Sequence, residues 1–171
     1  MYAMFYSAES FSMQLCWDTS GKTTTGMFNG TSGSAVGSCN ITQFKVNAWC
    51  NDPARAAALY GSISSWDTSN TTDMSYLFYT YCSTSSTFNE DISGWDVSRV
   101  ETMRSMFYGA SSFNSDVSSW DVSRVINMQY TFAGASSFNS DVSSWITSSV
   151  TTMNSMFYWA SSFNSDVSSW I

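Results

Sequence analysis

The residues of this sequence best suited to bind a cation are four aspartates that recur every 25 residues, Asp91, Asp116, Asp141 and Asp166. If the segments that carry them stack at about 4.8 Å, the separation of neighbouring strands, adjacent carboxylates repel by about 1 kcal/mol in water-like surroundings. Calcium binds carboxylate oxygens in flexible geometry and would relieve that repulsion. The alternative, which we favour, is that each Asp accepts hydrogen bonds from nearby backbone N–H groups in an Asx turn.

Catalytic chemistry finds little support in the residue types. The chain has no histidine, which removes Ser-His and Cys-His pairs, the commonest general base and the usual zinc ligands. A glycosidase needs two unlike carboxylates across a cleft, whereas the four aspartates are equivalent positions in one row. We therefore predict a protein that is not an enzyme and that has no cofactor, calcium being the one candidate ion.

Composition restricts the classes of partner. The 171 residues are 17% aromatic and 11% charged, with a net charge of −7, so the chain has apolar material for a core and is not a disordered type. No basic run is present to meet a phosphate backbone, which argues against nucleic acid. No apolar stretch approaches the roughly 20 residues that cross a bilayer.

An internal repeat organises most of the chain. The sequence ASSFNSDVSSW occurs at residues 110–120, 135–145 and 160–170, one 25-residue period apart. A period of this length predicts a solenoid, in which each coil buries its apolar side only against its neighbours. The repeats end with residue 171, so we expect more of the same chain, or a second copy stacked head to tail, to cover residues 163–171.

Within one period, residue types predict the local conformation. Residues 113–120 resemble a short strand, residues 121–125 a polar turn, and residues 128–135 a helical or 3₁₀ turn. One strand and one helical turn per coil is the leucine-rich-repeat plan. The side chains expected to point inward are Phe113, Val117, Trp120, Val122, Val125, Met128, Phe132 and Ala135.

Two further rows keep the same period. The tryptophans are expected to fill coil corners in the core, although an exposed row would instead offer flat faces to glycans: Trp66, Trp95, Trp120, Trp145 and Trp170. The asparagines are expected to form an internal side-chain ladder that closes the turn: Asn89, Asn114, Asn139 and Asn164.

Other positions vary from repeat to repeat and are expected to be exposed. The aromatic residues among them are our candidates for contact with a partner: Tyr79, Tyr81, Tyr108, Tyr130, Tyr158 and Trp159. In the polar turns, Asp96 with Arg99 and Asp121 with Arg124 sit three residues apart. The next coil lacks both partners, which suggests a contact between them worth about 0 to 1 kcal/mol.

The pattern divides the chain into four segments. Residues 1–28 resemble the last coil and C-terminal cap of a preceding array, and the Gly- and Ser-rich residues 29–40 a linker. Residues 41–61 form a predicted helical N-terminal cap, in which Asp52 caps a helix that starts at Pro53 and stops at Gly61. Residues 62–171 are the tandem repeats, which we expect to continue in a longer parent protein.

The motif M-x-x-M-F-x-x-A-x-x-F-N-x-D-[IV]-S-x-W-D-[VT]-S-x-V runs through residues 74–171. It resembles the BspA-like leucine-rich repeats of microbial surface proteins. Two departures are Ile146, in place of the turn Asp, and a lengthening by four residues within 79–87. The resemblance implies a right-handed solenoid on a secreted or cell-surface protein that serves adhesion, host contact or a structural coat, with no catalytic residues.

We therefore expect a non-catalytic extracellular module whose rigid faces contact protein or glycan surfaces. One alternative is a glycan- or ice-binding module, in which rows containing Ser118 and Ser119, or the row of tryptophans, bind a periodic ligand. Another is an accessory or scaffolding subunit of a larger complex or filament.

Cysteine usage points to an oxidising compartment, because none of the four cysteines shows CxxC spacing. Three pairings exist for four cysteines, and the segment boundaries favour Cys16 with Cys39 and Cys50 with Cys82. Three sequons, at Asn29, Asn40 and Asn70, could accept N-glycans. In so Ser- and Thr-rich a chain they arise readily by chance.

Overall fold

Two helices precede the repeats in this computed structural model, which describes residues 41–79, 82 and 84–170. Helix α1 spans Ile41–Asn51 and helix α2 spans Pro53–Tyr60. The Asp52 carboxylate accepts a hydrogen bond from the Arg55 backbone N–H at 2.9 Å, and Gly61 ends α2 with φ of 77°, a left-handed angle that glycine adopts readily. The N-cap and the terminating residue are those that the sequence predicted.

Several predictions fall outside the described residues. These are the segments 1–28 and 29–40, the pairing of Cys16 with Cys39, the sequons at Asn29 and Asn40, and the tyrosine Tyr81.

Beyond α2, the described residues form turns and irregular backbone apart from two short 3₁₀ helices, Ile63–Ser65 and Ser85–Thr87. Successive repeats meet through parallel β-bridges between equivalent residues, Asp73 with Thr102, Thr102 with Asn127 and Asn127 with Thr152. After each bridge, every second backbone N–H donates to the next repeat. The N–H groups of Met103 and Ser105, for example, reach the carbonyls of Asn127 and Gln129, each at 2.9 Å.

Residues 128–135 do not form the continuous helical or 3₁₀ turn that we predicted, because their backbone N–H groups alternate between local and inter-repeat bonds. Thr131, Ala133 and Ala135 each donate to the carbonyl three residues earlier, which is 3₁₀-type bonding. The alternate donors between them bond the following repeat instead, and Tyr130 has a positive φ of 57°. The segment is therefore a chain of separate turns, because half of its donors are used between repeats.

The strand predicted for residues 113–120 is also wrong in its position, because the parallel bridges lie at 102, 127 and 152. Side-chain oxygens take the place of a strand partner here. The Asn114 N–H donates to Asn89 Oδ1 at 2.8 Å, and the Val117 N–H donates to Ser140 Oγ at 3.0 Å. Asn and Ser side chains compete with backbone carbonyls for such donors, so the segment contacts its neighbour without a backbone ladder.

The core consists of two columns of stacked phenylalanines. Within a repeat the paired rings lie 3.7–4.0 Å apart, as in Phe132 and Phe138. Between repeats the equivalent rings lie 5.5–6.0 Å apart, as in Phe107 and Phe132. All eight residues predicted to point inward are buried. These contacts are what a solenoid requires, and the right-handed leucine-rich-repeat-like form stays a prediction.

Helix α1 is fastened to the first repeat by a ring cluster and a covalent bond. The Trp49 ring meets Phe78 and Phe88 edge to face, with centroids 6.4 and 5.2 Å away. The neighbouring Cys50 forms a disulfide with Cys82, which lies in the lengthened segment 79–87. This is the pairing that the sequence favoured, and it ties the helix to the insertion.

The phenylalanine columns predict cooperative loss of structure. Replacing Phe138 with Ala removes ring contacts to Phe113, Phe132, Phe157 and Phe163, and it should lower the free energy of unfolding by about 3 to 5 kcal/mol. Chemical denaturation measures this loss. Hydrogen exchange should show reduced protection in the repeats on both sides, and protection retained there would contradict cooperative stacking.

Reduction of the Cys50–Cys82 bond should act locally. The bond closes a 32-residue separation, so its loss should destabilise the anchored helices by about 2 to 4 kcal/mol. Amide exchange should accelerate in α1 and α2 more than in the repeats after Ser93. If amide exchange accelerates equally along the chain, the disulfide stabilises the whole array and not only the helices at its N-terminal end.

Candidate interaction surface

The four predicted cation-binding aspartates are exposed, and each accepts a hydrogen bond in its own turn. Their Oδ1 atoms accept from the backbone N–H two residues later, at 3.0 Å for Asp91 and 2.9 Å for Asp116. Hydrogen bonding lowers the pKa of all four carboxyls, chiefly through the Ser93 hydroxyl for Asp91 and the Ser118 N–H for Asp116. The Asx-turn alternative therefore describes this row.

Calcium binding by this row stays a prediction. Among the described residues, no three Asp, Glu, Cys or His side chains are grouped so as to hold a metal ion. Repulsion within the row is a lesser influence than the turn, because the Asp116 charge raises the pKa of Asp91 less than the Ser93 hydrogen bonds lower it.

The second aspartate row behaves in the same way. Asp96 accepts from the backbone N–H and the hydroxyl of Ser98, at 2.9 and 2.7 Å, and these bonds lower its pKa. Arg99 is only the last contributor to that shift, and its guanidinium donates to Asn70 Oδ1 of the preceding repeat at 3.2 Å. The sequon Asn70 is exposed and takes part in this contact.

The asparagine row forms the predicted ladder, but on the surface. The Oδ1 atoms of Asn89, Asn114 and Asn139 each accept the backbone N–H of the next asparagine, as between Asn114 and Asn139 at 2.7 Å. All four residues are exposed and not internal, because the ladder runs along the outside of the stacked turns. Serine hydroxyls bond in parallel, as Ser144 Oγ donates to the Ser118 carbonyl at 3.1 Å.

The tryptophan row belongs to the core. Trp66, Trp95, Trp120 and Trp145 are buried and Trp170 is half-buried. Each indole N–H donates to a backbone carbonyl, as from Trp145 to Val117 at 3.1 Å. Buried indoles present no faces to a glycan, so the stripe considered for this row is not formed.

A different set of aromatic side chains lies on the surface across four repeats. We call it the aromatic row, and it comprises Tyr76, Tyr79, Tyr108, Tyr130, Tyr158 and Trp159. Neighbouring ring centroids are 5.5 Å apart for Tyr76 and Tyr79, 5.1 Å for Tyr79 and Tyr108, and 6.3 Å for Tyr108 and Tyr130. Tyr158 and Trp159 stack at 5.0 Å.

The structure adds one member that the sequence analysis missed. Tyr76 is 41% exposed, but the sequence of the first repeat did not mark it as a variable position. Alignment of the repeats on the bridge residues Asp73 and Asn127 makes Tyr76 equivalent to Tyr130. That equivalence could have identified Tyr76 as a candidate. The predicted candidates Tyr79, Tyr108 and Tyr130 are half-buried, while Tyr158 and Trp159 are 53% and 75% exposed.

Three members of the row have left-handed backbone conformations. The φ angles are 62° at Tyr76, 57° at Tyr130 and 60° at Trp159, which are outliers for bulky residues. Equivalent positions in other repeats hold Ser105 and Ser155, or the glycines Gly109 and Gly134. Trp159 therefore stands where two earlier repeats carry glycine. Strained backbone of this kind concentrates at functional sites.

A cavity of about 380 Å³ lies beside Ile146, the residue that replaces the turn Asp. Its lining contributes serine and threonine hydroxyls with Trp145, but no ionisable side chain. This lining provides no acid or base for catalysis.

One protein-family model matches the chain along its whole length. The model described as "Mycoplasma protein of unknown function, DUF285" matches residues 1–84, 46–116 and 79–171. The chain belongs to this family. The overlapping matches agree with the repeated sequence of this DUF285 chain. No curated protein and no solved structure matches it.

Head-to-tail association at residues 163–171 stays a prediction. In this part of the DUF285 chain Phe163 and Trp170 are half-buried and Val167 is 37% exposed, whereas the equivalent Val117 and Val142 are fully buried.

The turn aspartates predict acid sensitivity. Their pKa values in the folded chain lie below the ordinary 3.8, so their hydrogen bonds stabilise the fold above pH 4, and this stabilisation is lost as pH falls through the folded values. The free energy of unfolding should therefore decrease as the pH falls below about 4. Asp141→Asn should flatten this dependence and Ser143→Ala, which keeps the backbone donor, should flatten it less. Identical pH profiles for all three proteins would contradict the assignment.

Proposed function

We propose that this DUF285 chain is a non-catalytic structural or adhesive module of a secreted or cell-surface protein, and that it contacts its partner through the aromatic row. The observation that carries the proposal is the exposure of the stacked pair Tyr158 and Trp159 at the C-terminal end of the aromatic row. Tyr and Trp supply large contact areas at low conformational-entropy cost and are enriched at interfaces.

Fixed spacing supports a role in surface contact. Bonds between repeats on both sides of the row hold its backbone, as from the Tyr130 N–H to the Asn154 carbonyl at 3.1 Å and from the Gly134 N–H to the Tyr158 carbonyl at 2.7 Å. A preorganised surface loses little freedom on binding, which favours affinity.

Backbone strain in the row supports the same role. A residue with a side chain costs about 1 to 2 kcal/mol in the left-handed region, and the array shows at Gly109 and Gly134 that glycine fits the position of Trp159. Core packing does not require an indole there, because its side chain is 75% exposed. Binding gives a reason for keeping it.

An extracellular location agrees with two observations. The Cys50–Cys82 disulfide is of the kind that persists in oxidising compartments, and the repeat motif resembles BspA-like surface proteins. Among the described residues, no helix has the length and apolar character needed to span a membrane.

Periodic-ligand binding through the serine rows has weaker support. The hydroxyls of Ser119, Ser144 and Ser169 donate to carbonyls of the preceding repeat, at 3.3, 3.1 and 2.9 Å. Their protons are already used within the chain, so they are poor donors to ice or to a glycan.

Replacing Trp159 with Gly should separate binding from stability. We expect the free energy of unfolding to stay unchanged or rise by up to about 1 kcal/mol, because glycine relieves the positive φ. Retention on a panel of immobilised secreted proteins and on a glycan array should fall. Leu59→Ser is the matched control, because it removes another exposed apolar side chain, 62% accessible and located on α2. Undiminished retention of the Trp159→Gly, Tyr130→Ser double variant would rule out the aromatic row as the contact.

A further inference from the structure

The geometry points to arginine and lysine side chains of a basic protein partner as the groups that bind the C-terminal half of the aromatic row, at Tyr130, Tyr158 and Trp159. This inference rests on the proposed function and adds the chemical class of the partner. It would be recognition by cation–π contact, in which an ammonium or guanidinium group lies over the negative face of an aromatic ring.

The chain already makes this contact once within the row. The Arg104 guanidinium lies 5.7 Å from the centroid of the Tyr76 ring, within the distance at which the attraction operates. Lys45 lies at the same distance from the Trp66 ring. Arg104 belongs to the repeat that follows Tyr76, so the row's first ring receives its cation from the neighbouring repeat.

Tyr130 occupies the same place two repeats later, but the next repeat has asparagine where Arg104 follows Tyr76. The Tyr76 N–H donates to the Arg104 carbonyl at 2.9 Å, and the Tyr130 N–H donates to the Asn154 carbonyl at 3.1 Å. The backbone arrangement is therefore equivalent, and Asn154 stands where Arg104 supplied the charge. The backbone therefore places Tyr130 as it places Tyr76, and the next repeat supplies no cation at the position of Arg104.

The exposed end of the row offers further acceptor faces. Tyr158 and Trp159 stack with an interplanar angle of 18°, and indole is the strongest aromatic acceptor for a cation. Their exposure, 53% and 75%, leaves ring surface open to a partner.

Charge in this half of the chain favours the same ligand. No Lys or Arg follows Arg124, whereas Asp141 and Asp166 contribute negative charge there, and the chain as a whole carries −7. A chain of net negative charge attracts a basic partner over a distance. A cation brought to the row therefore meets no competing positive side chain in residues 125–171.

Ring orientation favours a protein side chain over a sugar chain. Within the proposed site, Tyr158 and Trp159 stack on each other with centroids 5.0 Å apart, and Tyr130 meets Tyr108 at 74°, so the rings do not lie side by side in one flat strip. A polysaccharide that stacks on successive rings needs coplanar faces. Separate tilted faces suit separate side chains, each placed by a partner's own fold.

The test is a titration of the 171-residue chain with labelled hexa-arginine, with hexa-citrulline as a nearly isosteric uncharged control, at 0.15 M salt. Asn154→Arg should supply Tyr130 with an internal cation and weaken hexa-arginine binding. Ser149→Arg is its matched control, because it adds the same charge at the position held by Arg99 and Arg124 in other repeats. Trp159→Gly tests the indole without changing net charge.

We expect hexa-arginine to bind more tightly than hexa-citrulline. Trp159→Gly should weaken binding about 2- to 5-fold, the range for an exposed cation–π contact, and Asn154→Arg should weaken it more than Ser149→Arg does. Equal binding of the two peptides would overturn the inference. So would equal effects of the two arginine variants, an unaltered affinity in Trp159→Gly, or binding of chitohexaose in place of hexa-arginine.

Failure of this inference can be told apart from failure of the proposed function. If Trp159→Gly reduces retention on the protein panel but does not change hexa-arginine binding, the row is a contact surface for a partner that is not cationic. If the Trp159→Gly, Tyr130→Ser double variant changes neither, both proposals fail.

Discussion

Stacking of equivalent side chains from one repeat to the next is the interaction on which the rest of this structure depends. The phenylalanine rings contact each other both within and between repeats, and successive rings of one column are almost parallel, with an interplanar angle of 4° between Phe113 and Phe138. A repeat by itself has one exposed apolar side and no partner for it. Burial of each repeat therefore requires its neighbour, and the period of the sequence must match the stacking.

Stacking also fixes how backbone donors are used. After each bridge, alternate N–H groups serve the next repeat and the others close local turns, which leaves room for neither a regular helix nor a regular strand. Asn, Ser and Asp side chains satisfy many of the remaining donors, as Asn89 does for the Asn114 N–H. The abundance of these residue types therefore has a structural cause, since short polar side chains bond nearby backbone.

The repeats differ from each other at positions whose side chains neither stack in the core nor form hydrogen bonds between repeats. The aromatic row collects such positions on one surface, and its left-handed members at Tyr76, Tyr130 and Trp159 depart from the serine or glycine of sister repeats. Ser105 and Ser155 share the positive φ of Tyr76 and Tyr130, whereas Trp159 places a side chain where two sister repeats have glycine. Such a departure, at the expense of local strain, indicates that the residue has another role. Cation–π recognition gives that reason a chemistry, for which Arg104 over Tyr76 is the internal precedent.

The sequence by itself determined the period, the inward side chains, the ends of α2 and the pairing of Cys50 with Cys82, because each depends on residue type and spacing. It did not anticipate the isolated bridges at 102, 127 and 152 or the separate turns of residues 128–135, because the neighbouring repeat decides which carbonyl a backbone N–H bonds, and a local pattern does not contain that repeat. It missed the exposure of Tyr76 and of the asparagine ladder for a related reason. Which side of a turn faces water, and which ring lies beside Arg104 or Asn154, is decided only when repeats stack in three dimensions.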